Sequence, residues 1–135
     1  MIVVDSSAVI AILVGEPPAS VLTARLAAEP ERVMSVASYL EVGTVIAARR
    51  QSDHLDAVAF LDTFLAESGI ELRPVDESQG RIALIARIRY GRGMGHGGVL
   101  NFGDAFSYAL AKSLDAPLLF VGNDFTTTDV KSALD

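Results

Sequence analysis

Short apolar runs alternate with longer helical patterns along this chain, and that order is the strongest constraint on its fold. The runs "IVV", "VMSV", "IELRPV" and "PLLFV" have the composition of strands, and segments with the apolar spacing of helices separate them. No hairpin turn joins one predicted strand to the next. Strands that are joined through helices run parallel, so the sequence predicts an α/β protein with a parallel sheet covered by helices.

The helices and the domain organisation follow from the same pattern. Helices are predicted at residues 7–13, 19–28, 38–50, 53–68, 76–90 and 104–114. Pro74 suggests that the third strand lies near an edge of the sheet, because proline cannot donate to a strand ladder. A chain of 135 residues is close to the commonest domain size, so we expect a single domain spanning residues 1–135.

A glycine-rich segment interrupts this order. Five of the eight residues from Gly91 to Gly98 are glycine, and Gly93, Gly95 and Gly98 match the G-x-G-x-x-G spacing of a dinucleotide-binding loop. Such a loop requires a strand directly before it, whereas the preceding residues "RIALIARIRY" have a helical pattern. The segment is therefore predicted to be a mobile loop rather than a phosphate-binding cradle.

Composition excludes several classes of protein. The chain has no cysteine, which excludes disulfides and thiolate metal sites and fits a cytoplasmic location. The apolar N-terminal run carries Asp5 and lacks a basic start, so it is interpreted as a strand and a helix rather than a signal segment. No stretch reaches the roughly 18 apolar residues of a membrane span, so no membrane association is expected. The hydrophobic content of 50% indicates either a well-filled core or an apolar surface that meets a partner.

The charge pattern leaves room for a polyanionic ligand. The net charge of -6 argues against a protein that coats nucleic acid through clustered lysines and arginines. Residues 78–103, however, contain no acidic residue, and they carry the cations Arg81, Arg87, Arg89, Arg92 and His96. This segment is either a solvated helix face or one basic surface on an acidic protein.

Four carboxylates are predicted to lie at one edge of the sheet. Asp5 directly follows the first predicted strand, and Asp124 follows the last. Glu41 lies in the first turn of the helix after the second strand, and Asp104 opens the helix after the glycine-rich segment. In a parallel α/β sheet, ligands bind beyond the carboxyl ends of the strands, which is where these residues fall.

Each of these acids also has a purely structural interpretation. Asp5 and Asp104 can cap helices, and Asp124 can shape a turn. Ser38 and Glu41 match the capping box S-x-x-E. If the acids converge, however, charges about 4 Å apart repel by roughly 4 kcal/mol at an effective dielectric of about 20. A cation must then join them, and oxygen ligands point to Mg²⁺ or Mn²⁺.

Such a site favours phosphoryl chemistry over other hydrolytic chemistry. His54 and His96 lie outside the four acidic segments, so a serine or cysteine hydrolase is not expected. Carboxylate-held magnesium suits attack on a phosphate ester or diester. The basic segment beside Asp104 favours a polyanionic substrate, and the glycine-rich loop would let Arg92 and His96 reach a nucleic-acid backbone.

Four segments resemble the PIN-domain ribonucleases, and specifically the VapC toxins of bacterial type II toxin–antitoxin systems. They are "VVDSSAVIAIL", "SVASYLEVGTVI", "LNFGDAFSYALAK" and "PLLFVGNDFTTTDV", in the order and spacing of the family. The resemblance implies a magnesium-dependent endoribonuclease that a VapB antitoxin neutralises and that is usually dimeric. It also implies an α/β/α sandwich, with a central, mainly parallel sheet of four to five strands.

The resemblance also implies roles for particular residues. The family's metal-binding acids fall on Asp5, Glu41, Asp104 and Asp124. Ser6 matches a hydroxyl residue close to the metal in the family, and Asp129 also recurs there, where we interpret it as structural rather than catalytic. Asn123 stands where relatives often have an acid, and Ala105 where they often have cysteine.

We therefore expect the four acids to be catalytic, holding one or two Mg²⁺ ions, or Mn²⁺, that activate a water for in-line attack on an RNA phosphodiester. The residues expected to position the RNA backbone are Arg87, Arg89, Arg92 and His96. The apolar surface of the helices before Glu67 is expected to contact an antitoxin or a second protomer, giving a homodimer or a toxin–antitoxin hetero-oligomer.

Two other interpretations remain open. One is a catalytically inactive PIN-like module that binds RNA or protein, with its acids serving as helix caps. The other is a phospho-acceptor domain in which Asp5 or Asp104 is phosphorylated. For that second alternative, Lys112 and Lys131 are the only lysines available to bind the phosphate.

Overall fold

Four short strands form the centre of the fold in a computed structural model that describes residues 1–51 and 53–135. The strands are β1 (Ile2–Val4), β2 (Arg32–Ser35), β3 (Ile70–Arg73) and β4 (Leu118–Leu119). They lie in the order β3-β2-β1-β4, and every neighbouring pair is parallel. The predicted parallel sheet is therefore confirmed.

Six helices connect these strands in the described part of the chain. They are α1 (Ser6–Val14), α2 (Ala19–Ala28), α3 (Val36–Arg50), α4 (His54–Glu67), α5 (Glu77–Tyr90) and α6 (Phe102–Leu114). Two helices separate each strand from the next along the chain, as parallel strands require. Among the described residues, no helix is both long and apolar enough to cross a lipid bilayer.

The helices cover the two faces of the sheet. Ile2 and Val4 of β1 belong to a core that they share with residues of α1, α2, α3 and α4, whereas Val3 belongs to a core shared with α5 and α6. Successive side chains of a strand point to opposite faces, so a strand that is apolar at every position is buried on both. The architecture is the expected three-layer α/β/α sandwich.

The edges of the sheet show one confirmed prediction and one correction. β3 is an edge strand, and Pro74 directly follows it, as the sequence predicted. β4 is the opposite edge and is shorter than the predicted run at residues 117–121. The backbone N–H of Val121 donates to the hydroxyl of Ser7 instead of to a strand carbonyl, and the ladder ends before it.

Helix α3 begins earlier than predicted, which moves two of the residues of interest. It starts at Val36, and its N-cap is Ser35 rather than Ser38. Glu41 consequently lies in the second turn and not in the first. The predicted capping box of Ser38 and Glu41 is wrong, because both residues lie inside the helix and their side chains contact other elements.

Helix α6 also begins earlier than predicted. It starts at Phe102 with Asn101 as its N-cap, so Asp104 is its third residue and not its cap. The Asp104 N–H donates to the Asn101 side chain, and the Asn101 N–H donates to Asp104 Oδ2, each over 2.9 Å. This reciprocal capping box satisfies two backbone N–H groups. It uses Oδ2 of Asp104, so Oδ1 takes no part in the capping.

The glycine-rich segment follows a helix, not a strand, so it lacks the context of a dinucleotide-binding loop. Its two ends are joined, because the Arg92 N–H donates to the Leu100 carbonyl and the Leu100 N–H donates to the Tyr90 carbonyl, both over 3.1 Å. A Cβ at Gly98 would overlap the Tyr90 carbonyl oxygen. Close approach between the two ends of the loop therefore requires glycine there.

Candidate metal centre

The four acids selected from the sequence converge on one cleft of about 230 Å³ at the carboxyl edge of the sheet. Asp5 lies between β1 and α1, Glu41 on α3, Asp104 in the first turn of α6, and Asp124 after β4. The parallel strands end at the same edge of the sheet and bring these distant positions together, as expected for its ligand-binding edge.

Asp5 is the most constrained of the four. It is the N-cap of α1, and its Oδ2 accepts from the backbone N–H of Ser7 over 3.0 Å and from the Ser7 hydroxyl over 2.6 Å. Its Oδ1 accepts from the Ser107 hydroxyl over 2.6 Å. Burial raises the pKa of Asp5, and the hydrogen bonds from Ser107 and Ser7 oppose that shift. The predicted capping role is thus correct, but it occupies only one of the two oxygens.

A set of serine hydroxyls surrounds Asp5, and the sequence analysis did not identify it. The Ser7 hydroxyl accepts from the Val121 N–H over 3.0 Å, and the Ser38 and Ser107 hydroxyls lie 2.9 Å apart. Only one sequence signal pointed to Ser107. It lies one helical turn after Asp104 and therefore on the same side of α6.

Glu41 is held from two sides. The Ser6 hydroxyl donates to Glu41 Oε1, which places the predicted supporting residue Ser6 in direct contact with the acid. On the other side, a Cβ at Gly103 would overlap the Glu41 carboxylate. The absence of a side chain at Gly103 is what allows α6 to approach Glu41, and sequence reasoning missed this residue as well.

Asp104 carries the clearest electrostatic signature. Its side chain is only 6% exposed, and its pKa is raised from the ordinary 3.8 to about 7. Burial is the main cause, and the negative charges of Asp5 and Asp124 add to it, while the Asn101 N–H opposes the shift. The cleft therefore concentrates negative charge, and no ion pair within residues 1–51 and 53–135 neutralises its four acids.

This donor set fits a divalent metal ion of the magnesium type. Mg²⁺ binds oxygen ligands, commonly takes only one or two carboxylates and keeps several waters. In residues 1–51 and 53–135, no three histidine, cysteine, aspartate or glutamate side chains form a closed set that could hold a metal by themselves. The carboxylates would thus supply part of a coordination shell, and the repulsion that raises the pKa of Asp104 is what a cation would relieve.

Asp129, the other acid considered from the sequence, lies outside the lining of the cleft. It accepts from the Tyr108 hydroxyl over 2.6 Å and from Lys112 Nζ over 3.1 Å. These bonds, led by the one from Tyr108, lower the pKa of Asp129. They attach the C-terminal segment to α6, which supports the structural interpretation of this residue.

None of the four predicted RNA-binding residues is part of the lining of the cleft. Arg87 is half-buried, and its Nη1 donates to the Leu100 carbonyl, so this side chain helps to close the glycine-rich loop. Arg89 is exposed beside the Tyr90 ring, 5.3 Å from its centroid. Arg92 and His96 are exposed on the loop, whose chain leads directly to Asn101 in the wall of the cleft.

Comparison with known proteins agrees with this fold. The family model of the PIN domain matches residues 2–131. Ribonuclease VapC28 of Mycobacterium tuberculosis is 46% identical over 133 residues, which cover 98% of both chains. The chain therefore belongs to the PIN-domain family, within its VapC group.

Two solved structures have the same fold. The crystal structure of VapC20 from Mycobacterium tuberculosis, described as a sarcin-ricin loop cleaving toxin, matches with a TM-score of 0.74 at 19% identity over 96% of both chains. A toxin–antitoxin complex from Klebsiella pneumoniae matches with a TM-score of 0.68 at 18% identity, over 96% of this chain and 93% of that one. At such low identity, these two similarities establish the fold alone.

Replacing Gly103 by alanine tests whether the position of Glu41 matters for cation binding. Alanine stabilises a helix relative to glycine by up to about 1 kcal/mol, and the long Glu41 side chain can move aside, so Gly103→Ala should fold with an unchanged or higher Tm. Because Glu41 is displaced, the rise in Tm on adding Mg²⁺ should be smaller than in the wild type. Differential scanning fluorimetry with and without Mg²⁺ measures both effects.

The matched control for this variant is Gly80→Ala. Gly80 lies in α5, where an added Cβ meets nothing within 4 Å. This variant should respond to Mg²⁺ as the wild type does. An equal response in Gly103→Ala would show that the Glu41 position contributes nothing to cation binding.

The raised pKa of Asp104 predicts how stability without metal depends on pH. Between about pH 4 and pH 7, the folded protein retains a proton that the unfolded chain releases, so its stability falls as the pH rises through this window. Asp104→Asn removes this dependence. In EDTA, the stability of the Asp104→Asn variant should exceed that of the wild type at about pH 8 by roughly 1 kcal/mol, or a few degrees in Tm. The difference is no larger because solvent in the open cleft screens the charges.

Thermal unfolding at about pH 4, 6 and 8 in EDTA measures this difference. The advantage of Asp104→Asn should shrink towards the acidic end, because the unfolded wild-type chain then increasingly binds the proton that the folded protein retains. Parallel stability profiles for the two proteins would contradict the charge concentration described for the cleft.

Proposed function

We propose that this protein is a divalent-cation-dependent endoribonuclease toxin, with Mg²⁺ as the ion and Mn²⁺ as a substitute, and that a VapB-type antitoxin inhibits it. The observation that carries the proposal is the convergence of four carboxylates in one cleft of a PIN fold. The name of VapC28 as a ribonuclease, at 46% identity over nearly the whole chain, supports RNA as the substrate. A protein that cleaves cellular RNA would act in the cytoplasm, which we propose as its location.

The residues that would hold the cation are Asp5, Glu41, Asp104 and Asp124. Asp5 is fixed at the end of strand β1, and Glu41 is oriented by the Ser6 hydroxyl. Asp104 has one oxygen bound to the Asn101 N–H, which leaves the other to face the cleft. When bound, the cation would supply Lewis-acid activation of an RNA phosphodiester and of the attacking water.

The cations of the chain would orient the RNA outside the acidic cleft. Arg92 and His96 are exposed on the loop that leads into the cleft wall, and Arg89 is exposed at the end of α5. Arg87 contributes indirectly, since its guanidinium holds the base of that loop. Contacts of this kind to phosphates position a strand without reading its sequence, so they do not define the RNA target.

An apolar groove between α3 and α4 supports the antitoxin part of the proposal. It has a volume of about 350 Å³ and is lined by residues that include Tyr39, Leu40, Gly43, Ala57, Val58 and Leu61. Leu40 is 69% exposed and Val58 is 50% exposed. A groove of this shape suits the apolar face of an amphipathic helix. The toxin–antitoxin complex of the same fold is consistent with such a partner.

The location of this groove agrees with the expectation that helices before Glu67 contact a partner. α5 exposes a second apolar set, which that expectation did not include, at Leu84, Ile85 and Ile88. Two separate apolar surfaces would allow a second protomer and an antitoxin to bind at the same time. We therefore propose a homodimer that assembles with antitoxin into a hetero-oligomer.

RNA cleavage by purified protein tests the nuclease. We expect cleavage of total RNA, or of a sarcin-ricin loop oligonucleotide chosen after the description of VapC20, only in the presence of Mg²⁺ or Mn²⁺. Loss of a residue that only supports a metal ligand typically lowers activity by roughly 10–100-fold. Asp5→Asn and Asp104→Asn remove proposed ligands, so each should lower the cleavage rate by more than this. Gel analysis of the products, with EDTA as the negative control, measures the rates.

Asp129→Asn is the matched control, because Asp129 is an acid outside the cleft. It should cleave RNA nearly as well as the wild type. Cleavage that persists in Asp5→Asn and Asp104→Asn would contradict the mechanism. The inactive binding module would be favoured if RNA stays intact with every metal and the Tm does not change on adding Mg²⁺. The phospho-acceptor domain would be favoured if a small phosphodonor produces a labile phosphoprotein.

The groove is tested by Leu40→Asp. A carboxylate in an apolar groove should weaken binding of a cognate VapB-type antitoxin by at least about 10-fold, since a central interface residue contributes more than about 1 kcal/mol. RNA cleavage should be retained, because Leu40 lies outside the cleft. Leu84→Asp on α5 is the control at an exposed leucine away from the groove. Equal antitoxin binding by wild type and Leu40→Asp would place the antitoxin elsewhere.

A further inference from the structure

Ser107 lies directly beside Asp5, and the proposed chemistry assigns it no role. Its side chain is 0% exposed, and its hydroxyl donates to Asp5 Oδ1 over 2.6 Å. The hydroxyl of Ser38, which is buried as well, lies 2.9 Å from that of Ser107. These two residues come from α6 and α3, the helices that carry Asp104 and Glu41.

The direction of donation through this pair follows from counting protons. A hydroxyl has one proton to donate, and an ionised carboxylate can only accept. Ser107 gives its proton to Asp5, so its oxygen must accept from Ser38. The hydrogen bonds thus run from Ser38 to Ser107 to Asp5, and each polarises the next.

Three exposed hydroxyl residues on helices, away from the cleft, behave differently. Thr23, Thr44 and Ser113 each donate to a backbone carbonyl of their own helix, which is the usual way to satisfy a helical hydroxyl. Ser38 and Ser107 instead bond across the interface between helices. A helical hydroxyl can find its partner within its own helix, so the need for a hydrogen bond alone does not account for this bond between helices.

The two serines are also placed in register with the acids. Ser38 lies one turn before Glu41, and Ser107 lies one turn after Asp104. The bond between the serines therefore sets the spacing of α3 and α6 at the level of their acids. The Ser107 hydroxyl holds Oδ1 of Asp5, and Ser7 holds Oδ2. With both oxygens held, the carboxylate cannot rotate.

We propose that Ser107, oriented by Ser38, is a positioning residue for the cation. It fixes the Asp5 carboxylate and the separation of the helices that bring Glu41 and Asp104 to the cleft. This inference rests on the proposed function, since it concerns the same cation. Outer-shell partners of this kind typically change metal affinity by roughly 10–100-fold when they are removed.

The test is a titration of Mn²⁺ into the full chain without RNA, followed by calorimetry or by the electron paramagnetic resonance signal of free Mn²⁺. Ser107→Ala should bind Mn²⁺ roughly 10–100-fold more weakly than the wild type. Ser113→Ala is the matched control on the same helix, because Ser113 bonds only to the Leu110 carbonyl, and it should bind as the wild type does.

Ser38→Ala provides a second variant that leaves the bond from Ser107 to Asp5 in place. It should weaken Mn²⁺ binding by less than Ser107→Ala does. Because Ser38 acts only through Ser107, the double variant should bind no more weakly than Ser107→Ala alone. If Ser107→Ala does not fold, Ser38→Ala decides the matter: weaker binding supports the inference, and unchanged binding overturns it.

The outcomes separate this inference from the function on which it rests. Wild-type protein that binds no Mn²⁺ would overturn the cation-dependent function and the inference together. Wild-type and Ser107→Ala proteins that bind Mn²⁺ equally would overturn the inference alone. Saturating Mn²⁺ should restore RNA cleavage in Ser107→Ala, because this variant lacks only a positioning contact, and it should leave Asp5→Asn inactive. If saturating Mn²⁺ does not restore cleavage in Ser107→Ala, a positioning role for Ser107 is contradicted.

Discussion

The burial of Asp5 at the carboxyl end of the inner strand β1 is the constraint on which the rest of the structure depends. A carboxylate removed from water is unfavourable unless its oxygens are hydrogen-bonded, and burial raises the pKa of Asp5 accordingly. The donors that compensate are Ser7 at the start of α1 and Ser107 in the middle of α6. The bonds that make the buried charge tolerable therefore also fix two helices against β1.

The carboxylates of the cleft lie close enough to repel one another. Elsewhere, an apolar core lies on each face of the sheet, whereas at this edge Asp104 faces the charges of Asp5 and Asp124 and its pKa rises to about 7. A site that is unfavourable when empty of cations is preorganised to attract one. α3 links this cleft to the apolar groove, since Glu41 lies on its cleft side and Leu40 on its groove side. A partner in the groove would thus pack against the helix that positions Glu41.

The sequence predicted the fold class and the four acids because both depend on local patterns. Strand and helix periodicity is a local property, and the position of Asp5 after β1 follows from it directly. Glu41 was placed in the right region although the N-cap of its helix is Ser35 rather than Ser38, since two nearby serines can both act as caps. Gly103 and Ser107 could not be derived in this way. Their importance comes from contacts with Glu41 and Asp5, which are distant in sequence and meet only in the folded chain.

The glycine-rich loop shows how an acidic protein can present a surface for a polyanion. Its glycines do not form a phosphate cradle; Gly98 allows the ends of the loop to meet, and Arg87 holds the Leu100 carbonyl at its base. The chain then enters the cleft wall at Asn101, while Arg92 and His96 remain exposed on the loop. Positive and negative charges are thereby kept apart, with the cations on the loop and the acids in the cleft. A phosphate backbone would then contact the loop first, and the carboxylates would repel it only as long as no metal ion neutralises them.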